Sequence, residues 1–357
     1  MKIYHLLAKQ TKLEPISGDR INEITFLKTL SRDHEVYYNN QRFVADQPDF
    51  GLNDLPIVAP NGDYDLYIVR NNIEVFLQLP RPKVWIACPY NEEAFKEADA
   101  VATFNRAWQE RLQRFHSDPD MFDFFSGCYP KDMVAPKQVI NLGQVLDESF
   151  EPRHGSTGHF RYRARFGFGF VVGYFGRIVD ETLPRDYLSI LPRLEQEIPE
   201  LCTVFAGSIR VPLPSRSIRA VRTIPFAEMP DATSACDVVL SNEQPAANWA
   251  GSAKPLEAMA CGIPILLTAR PSRVEQLGGD YPLFYEGRDD LYQKMLTLWR
   301  DRDFYEHVRR RMLRTARSFF PGARADELNR TLQELVQGGS QTQDSRHRRT
   351  RHCTNAQ

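Results

Sequence analysis

Lys254, Pro255 and Glu257 stand within four residues of one another at the head of a short apolar run, Lys254-Pro-Leu-Glu-Ala-Met-Ala-Cys-Gly-Ile-Pro. An ammonium and a carboxylate this close can serve one polar ligand from one helix end. Proline at a first helical position forfeits no hydrogen bond. Leu256, Met259 and Ala260 recur at helical spacing, and Gly262 followed by Pro264 stops the helix. Residues 263–267 then read as a strand buried on both faces, as in a parallel sheet. Glu257 admits two readings. It is a first-turn acid complementing the helix dipole, worth a few tenths to about 1 kcal/mol. Alternatively, it is a carboxylate accepting both hydroxyls of a ribose, beside a helix N-terminus that holds a diphosphate. Local pattern leaves both open.

The elements that must position these residues alternate between strand-like and helix-like runs, which predicts an α/β fold. Residues 3–8 form a first strand, followed by a polar loop, a helical pattern from Ile21, and a second strand from His34. Asp65-Leu-Tyr-Ile-Val-Arg70 reads as a parallel strand that ends in Arg70-Asn-Asn72. Ligands of open α/β sheets gather at the carboxyl ends of strands, so Arg70 and Asn72 are candidate contacts. Further on, Phe168-Gly-Phe-Val-Val-Gly-Tyr-Phe-Gly-Arg177 is a buried strand running into a glycine turn. Gly176 there lets backbone approach a ligand closely, and Arg177 follows at once.

The run around Glu257 resembles the signature of the retaining glycosyltransferases of the GT-B fold, the family called glycosyl transferases group 1. The resemblance extends over most of residues 1–335. It implies two Rossmann-like domains whose parallel sheets face each other across a cleft. It also implies transfer from a nucleotide diphosphate sugar, UDP- or GDP-type, with retention at the anomeric carbon. The acceptor would be a glycan, a lipid or a small molecule. By resemblance, Glu257 takes the ribose, and Arg177 and Lys254 carry catalysis by neutralising the departing diphosphate. Pro255, Leu256, Gly176, Gly18 and the backbone near Ile224 join the donor side; Asp19, Arg20, Arg70 and Asn72 join the acceptor side.

Two departures stand out. The family has two glutamates separated by seven residues, and counting back from Glu257 reaches Trp249. Either Glu243, the nearby acid, takes the first glutamate's place, or the backbone amides of this loop hold the sugar instead. The family's paired glycine before the first helix is here Gly18 alone, within Ser17-Gly-Asp-Arg20. The same fold also hosts sugar-nucleotide epimerases and catalytically degenerate binders, which remain the alternatives. A dinucleotide dehydrogenase is excluded, because Gly-x-Gly-x-x-Gly is missing after the first strand.

The expected division is a first domain over 1–152, a linker over 153–166 and a second domain over 167–318. A helix over 319–337 then crosses back to the first domain, and 338–357, which lacks an apolar pattern, reads as a disordered tail. Apolar residues are 42% and charged residues 25%, values of an ordinary globular protein. The net charge of -1 gives no attraction to nucleic acid. Six cysteines without paired spacing, and His154 and His159 without a third ligand, predict neither zinc nor any other metal. No cofactor is expected beyond the nucleotide sugar as co-substrate. No apolar run is long enough for a signal peptide or a membrane span, so the expected site is the cytoplasm. Peripheral contact with the inner face of the membrane is foreseen through the basic helix face of His307, Arg309, Arg310, Arg311 and Arg314.

Overall fold

The computed structural model describes all 357 residues except 8–17, 46–58, 88–89, 116–128, 131, 214, 216, 242–251 and 354–357. The side chains of residues 7, 18–21 and 339–353 also lie outside the description. The chain divides into two compact units, Met1–Val145 with Pro321–Gln357, and Leu146–Phe320.

The first unit is built on a seven-stranded sheet: β1 (Lys2–Leu7), β2 (Glu35–Tyr38), β3 (Gln41–Arg42), β4 (Leu66–Arg70), β5 (Lys83–Ile86), β6 (Ala100–Thr103) and β7 (Val139–Asn141). Their order is β3-β2-β1-β4-β5-β6-β7, parallel throughout except for the β2–β3 pair. The central strands are continuous apolar runs because helices cover both faces of a parallel sheet. Val84, Trp85, Ile86, Ala100, Val101 and Ala102 are accordingly buried. Three asparagines after strands start the next helix. Asn72, Asn91 and Asn105 accept the N–H groups of Val75, Ala94 and Trp108 at 3.1, 2.9 and 2.7 Å, and each satisfies one orphan donor. The buried Lys83 donates to the carbonyls of Phe76 and Leu77 at 3.1 and 3.4 Å, at the end of the helix Ile73–Gln78.

The C-terminal helix, Pro321–Cys353, belongs to this first unit. Leu328, Leu332 and Leu335 share a core with Ile24, Leu27 and Leu30, and Asn329 donates to Asp33 at 2.7 Å. The sequence places the end of this helix at 337, yet the helical backbone continues to Cys353. Residues 338–353 contain no proline, so no missing N–H or ring clash interrupts the helical backbone there.

The second unit has five parallel strands: β8 (Phe170–Ile178), β9 (Leu201–Ile209), β10 (Ile218–Val221), β11 (Val238–Leu240) and β12 (Ile265–Leu266), in the order β10-β9-β8-β11-β12. The strand expected over 263–267 is two residues long, extended by a bridge between Leu267 and Phe284. The stretch expected as linker is structured. Ser156 caps the helix Thr157–Phe166 through the His159 N–H at 2.9 Å, and Tyr162 and Phe166 enter the second core. Their four-residue spacing is the helical signal, hidden in the sequence by surrounding arginines, histidines and glycines. The boundary between units accordingly falls after Val145, not at 152.

Among the described residues no helix is long and apolar enough to cross a membrane, and no three of His, Cys, Asp or Glu converge on one point. The basic face on the helix Arg302–Ala316 is partly spent within the unit. Arg311 pairs with Asp280 and Arg309 with Glu306.

Candidate functional site

In the second unit, the helix Ala253–Cys261 stands beside the carboxyl end of β8. Ser252 is its N-cap, with Oγ accepting the Lys254 N–H at 3.2 Å. Gly262 closes it at φ +68°, a left-handed position that glycine adopts without strain. The helix begins at Ala253, so Pro255 is its third residue rather than its first. The proline still breaks nothing, because the first four N–H groups of a helix have no intrahelical acceptor.

This start also moves Glu257 out of the first turn. A dipole effect fades within that turn, so the dipole reading of Glu257 loses its geometric basis. Pro255, Leu256, Ala258, Met259, Ala260 and Cys261 are buried, whereas Ala253, Lys254 and Glu257 reach the surface. Those three are spaced i, i+1 and i+4, which puts them on one face.

Lys254 lies over Gly176 of β8. A methyl group on Gly176 would stand 3.2 Å from Lys254 Cε and 3.3 Å from Nζ, and Nζ is 5.7 Å from the Tyr174 ring centroid. Gly176 has φ +125° and pairs with Gly207 of β9 at φ +139°. Arg177 follows with its side chain exposed. The loop beyond is fastened where it begins: Tyr174 OH donates to the Thr182 carbonyl, and Thr182 Oγ1 donates to the Arg177 carbonyl at 2.7 Å. Arg185, the nearby cation of this loop, is tied to Asp180 at 2.9 Å.

Burial lowers the Lys254 ammonium from the ordinary lysine value, with Glu257 pulling the other way. Burial likewise pushes the Glu257 carboxyl up to about 7; Lys254 opposes the rise and Asp147 adds to it. Both charges are thus held in a place that disfavours them, a frequent mark of a ligand site.

The linkage has a definite sign. The folded state binds the Glu257 proton more tightly than the unfolded chain, so this group favours folding at low pH. That advantage fades as pH rises from about 4.5 to about 7. Glu257→Gln should remove this dependence. Relative to wild type, its unfolding temperature should rise by several degrees between pH 5 and pH 8, from about 2–3 kcal/mol of linkage. Parallel pH profiles of the two proteins would contradict the assignment.

The other expected donor residues are less closely gathered. Ile224 is buried in the same core beyond β10, and Glu243 and Trp249 lie outside the described residues. In the first unit, Gly18 begins the helix Gly18–Leu30, and the side chains of Asp19 and Arg20 are not described. Asn72, an expected acceptor contact, uses its side-chain oxygen to cap the helix Ile73–Gln78. A cap at a strand end is its local role.

Arg70, at the carboxyl end of β4, has company that the sequence reading missed. Its Nη1 is 3.9 Å from Glu23 Oε2, while Glu23 Oε1 contacts Nε2 of His5 on β1. His5 and Glu23 are both fully buried. Burial lowers the His5 pKa against the pull of Glu23, with Arg70 lowering it further. Burial dominates, so the imidazole is neutral at pH 7. The signal was available as a histidine inside an apolar strand and a glutamate inside an apolar helix. Nothing in either segment alone joins them. Glu23→Ala should cost about 3 kcal/mol, since it strips the partner from a buried polar pair. Urea unfolding reads this, and a loss under about 1 kcal/mol would deny the pair a structural role.

Residues 189–330, most of the second unit, match a family model described as glycosyl transferase-like. No curated protein matches the sequence. Among solved structures, Anabaena HepE in complex with UDP and glucose aligns with a TM-score of 0.65 at 15% identity, covering 92% of this chain and 99% of that one. Sucrose-phosphate synthase from Thermosynechococcus elongatus aligns at 0.65 and 12% identity, over 95% and 100%. A glycosyltransferase from Rickettsia africae aligns at 0.65 and 8% identity, over 94% and 98%. The two α/β units are thus the two domains of the GT-B fold.

Proposed function

We propose that this chain is a glycosyltransferase that moves a sugar from a nucleotide diphosphate sugar to a glycan, a lipid-linked glycan or a small acceptor. The observation that carries the reading is Lys254 and Glu257 sharing one helix face over the glycine end of β8, in the unit that matches the glycosyl transferase-like family. UDP is the first donor base to test, because the similar HepE was solved with UDP and with UDP-glucose. Retention at the anomeric carbon is part of the proposal and rests on the resemblance around Glu257. So is activity without a metal or other cofactor.

The chemical demand is to stabilise a departing diphosphate. Positive groups and N–H donors fixed beforehand do this without reorganising during the reaction. In this reading Lys254 and Arg177 supply the charge, and the Ala253 N–H at the start of the helix Ala253–Cys261 supplies a donor. The arriving anion also favours the protonated form of Lys254, whose burial otherwise disfavours it. Glu257 accepts the ribose hydroxyls. On the acceptor side, the Arg70 guanidinium, held near the buried Glu23, offers hydrogen-bond donors.

The test is a thermal-shift panel of UDP, GDP and ADP, with their sugars and NAD, on wild type and Glu257→Ala. A ligand at about 100 times its dissociation constant should stabilise by about 2.7 kcal/mol. One nucleoside diphosphate should shift wild type, and the mutant should lose the shift. A response to NAD alone would overturn the reading. Nucleotide binding without turnover of any sugar donor would favour the degenerate binder, which the tryptophan at 249 already suggests.

A further inference from the structure

Behind the helix Ala253–Cys261 lies a buried cation that the donor reading does not use. Arg273, on the helix Pro271–Leu277, is 3% exposed, and burial alone brings its guanidinium down to about 9. Its Nη1 donates to Gln276 Oε1 at 2.9 Å. Gln276, itself 1% exposed, reaches the start of the neighbouring helix, where Nε2 donates to the Ser252 carbonyl at 2.9 Å. Ser252 is the N-cap of the helix that bears Lys254 and Glu257.

The chain of bonds has a direction. A peptide unit is planar and trans, so the Ser252 carbonyl and the Ala253 N–H point opposite ways. Fixing the carbonyl against Gln276 therefore fixes the aim of the Ala253 N–H, one of the orphan donors of the first turn. The bonds are also polarised in series. A buried cation draws on the Gln276 oxygen, the Gln276 N–H becomes a stronger donor, and the Ser252 peptide passes the effect to its own N–H.

We propose that Gln276, held by Arg273, is a positioning residue that aims and strengthens the Ala253 N–H toward the donor's diphosphate. It rests on the donor-site reading above and adds the source of its orientation. Gln276 does not touch the nucleotide. It acts through the N-cap peptide, so its loss weakens phosphate recognition and leaves base and ribose recognition alone.

The experiment compares dissociation constants of UDP, GDP and ADP with those of uridine, guanosine and adenosine, by calorimetry and competition. The proteins are wild type, Gln276→Glu and Gln276→Met, each checked by thermal unfolding. Gln276→Glu keeps an oxygen for Arg273 but has no donor for the Ser252 carbonyl; Gln276→Met removes both bonds at similar volume. The expected result is about tenfold weaker binding of the diphosphate, the size of one well-placed hydrogen bond, with nucleoside affinity unchanged. If one variant fails to fold, the other carries the measurement. Equal weakening of nucleoside and diphosphate, or no weakening of either, overturns the positioning role while leaving the donor site standing. Wild type that binds none of the three diphosphates overturns the donor reading, and this inference with it.

Discussion

Lys254→Met should lower kcat/KM for donor turnover by about 10²- to 10³-fold while the protein stays folded. Removing one fixed charge from the stabilisation of a departing anion costs about 3–4 kcal/mol in comparable sites. The fold survives for a reason visible in the pair. Burial already disfavours the Lys254 ammonium, and Glu257 is held up near 7 with Lys254 opposing the rise. Without Lys254 the carboxyl rises further and takes a proton at neutral pH, so no unpaired buried charge remains. Arginine should not rescue the variant. A guanidinium is a wide planar fork and not the compact ammonium that lies close over Gly176, so it does not present its charge at the same point. Nucleotide release from a UDP-sugar, with thermal unfolding as the control, reads both halves. Turnover within threefold of wild type would remove Lys254 from the reaction.

Gly207→Ala should be the most damaging methyl group in the second unit, at about 3–5 kcal/mol. Gly207 has φ +139°, which an L side chain rarely adopts, and its Cβ would stand 1.9 Å from the Gly176 carbonyl oxygen. Strain and overpacking act together, and the obstacle is backbone, which cannot rotate aside. The collision falls where β8 and β9 end, under Lys254, so donor affinity should drop along with stability. Gly155→Ala is the comparison. It also has a positive φ, +84°, but nothing lies within 4 Å of its Cβ, so about 1 kcal/mol is expected. Urea midpoints of the two variants separate strain alone from strain with collision; equal losses would contradict the account.

The sequence by itself determined the kind of fold and one end of the site. Continuous apolar strands alternating with helical spacing are satisfied by a covered parallel sheet, so β1, β4 and β8 were legible as local patterns. The turn expected at Gly176 is instead interior strand, since β8 stays paired with β9 to Ile178, whereas the stop at Gly262 and the Lys254–Glu257 spacing were legible for the same reason as the strands. Each depends on residues a few positions apart. The tertiary structure decided what depends on distance in space. The helix start at Ala253 is set by the Ser252 cap rather than by the proline, and that single shift carried Glu257 beyond the reach of the dipole. The His5–Glu23–Arg70 cluster joins two strands and a helix; the Arg273–Gln276–Ser252 chain joins one helix to the N-cap of another, 24 residues apart. A buried polar group is stable only when a partner meets it, and a sequence names the group without naming the partner. Burial does the rest: it moved Glu257 to about 7, and burial belongs to the fold, not to the residue.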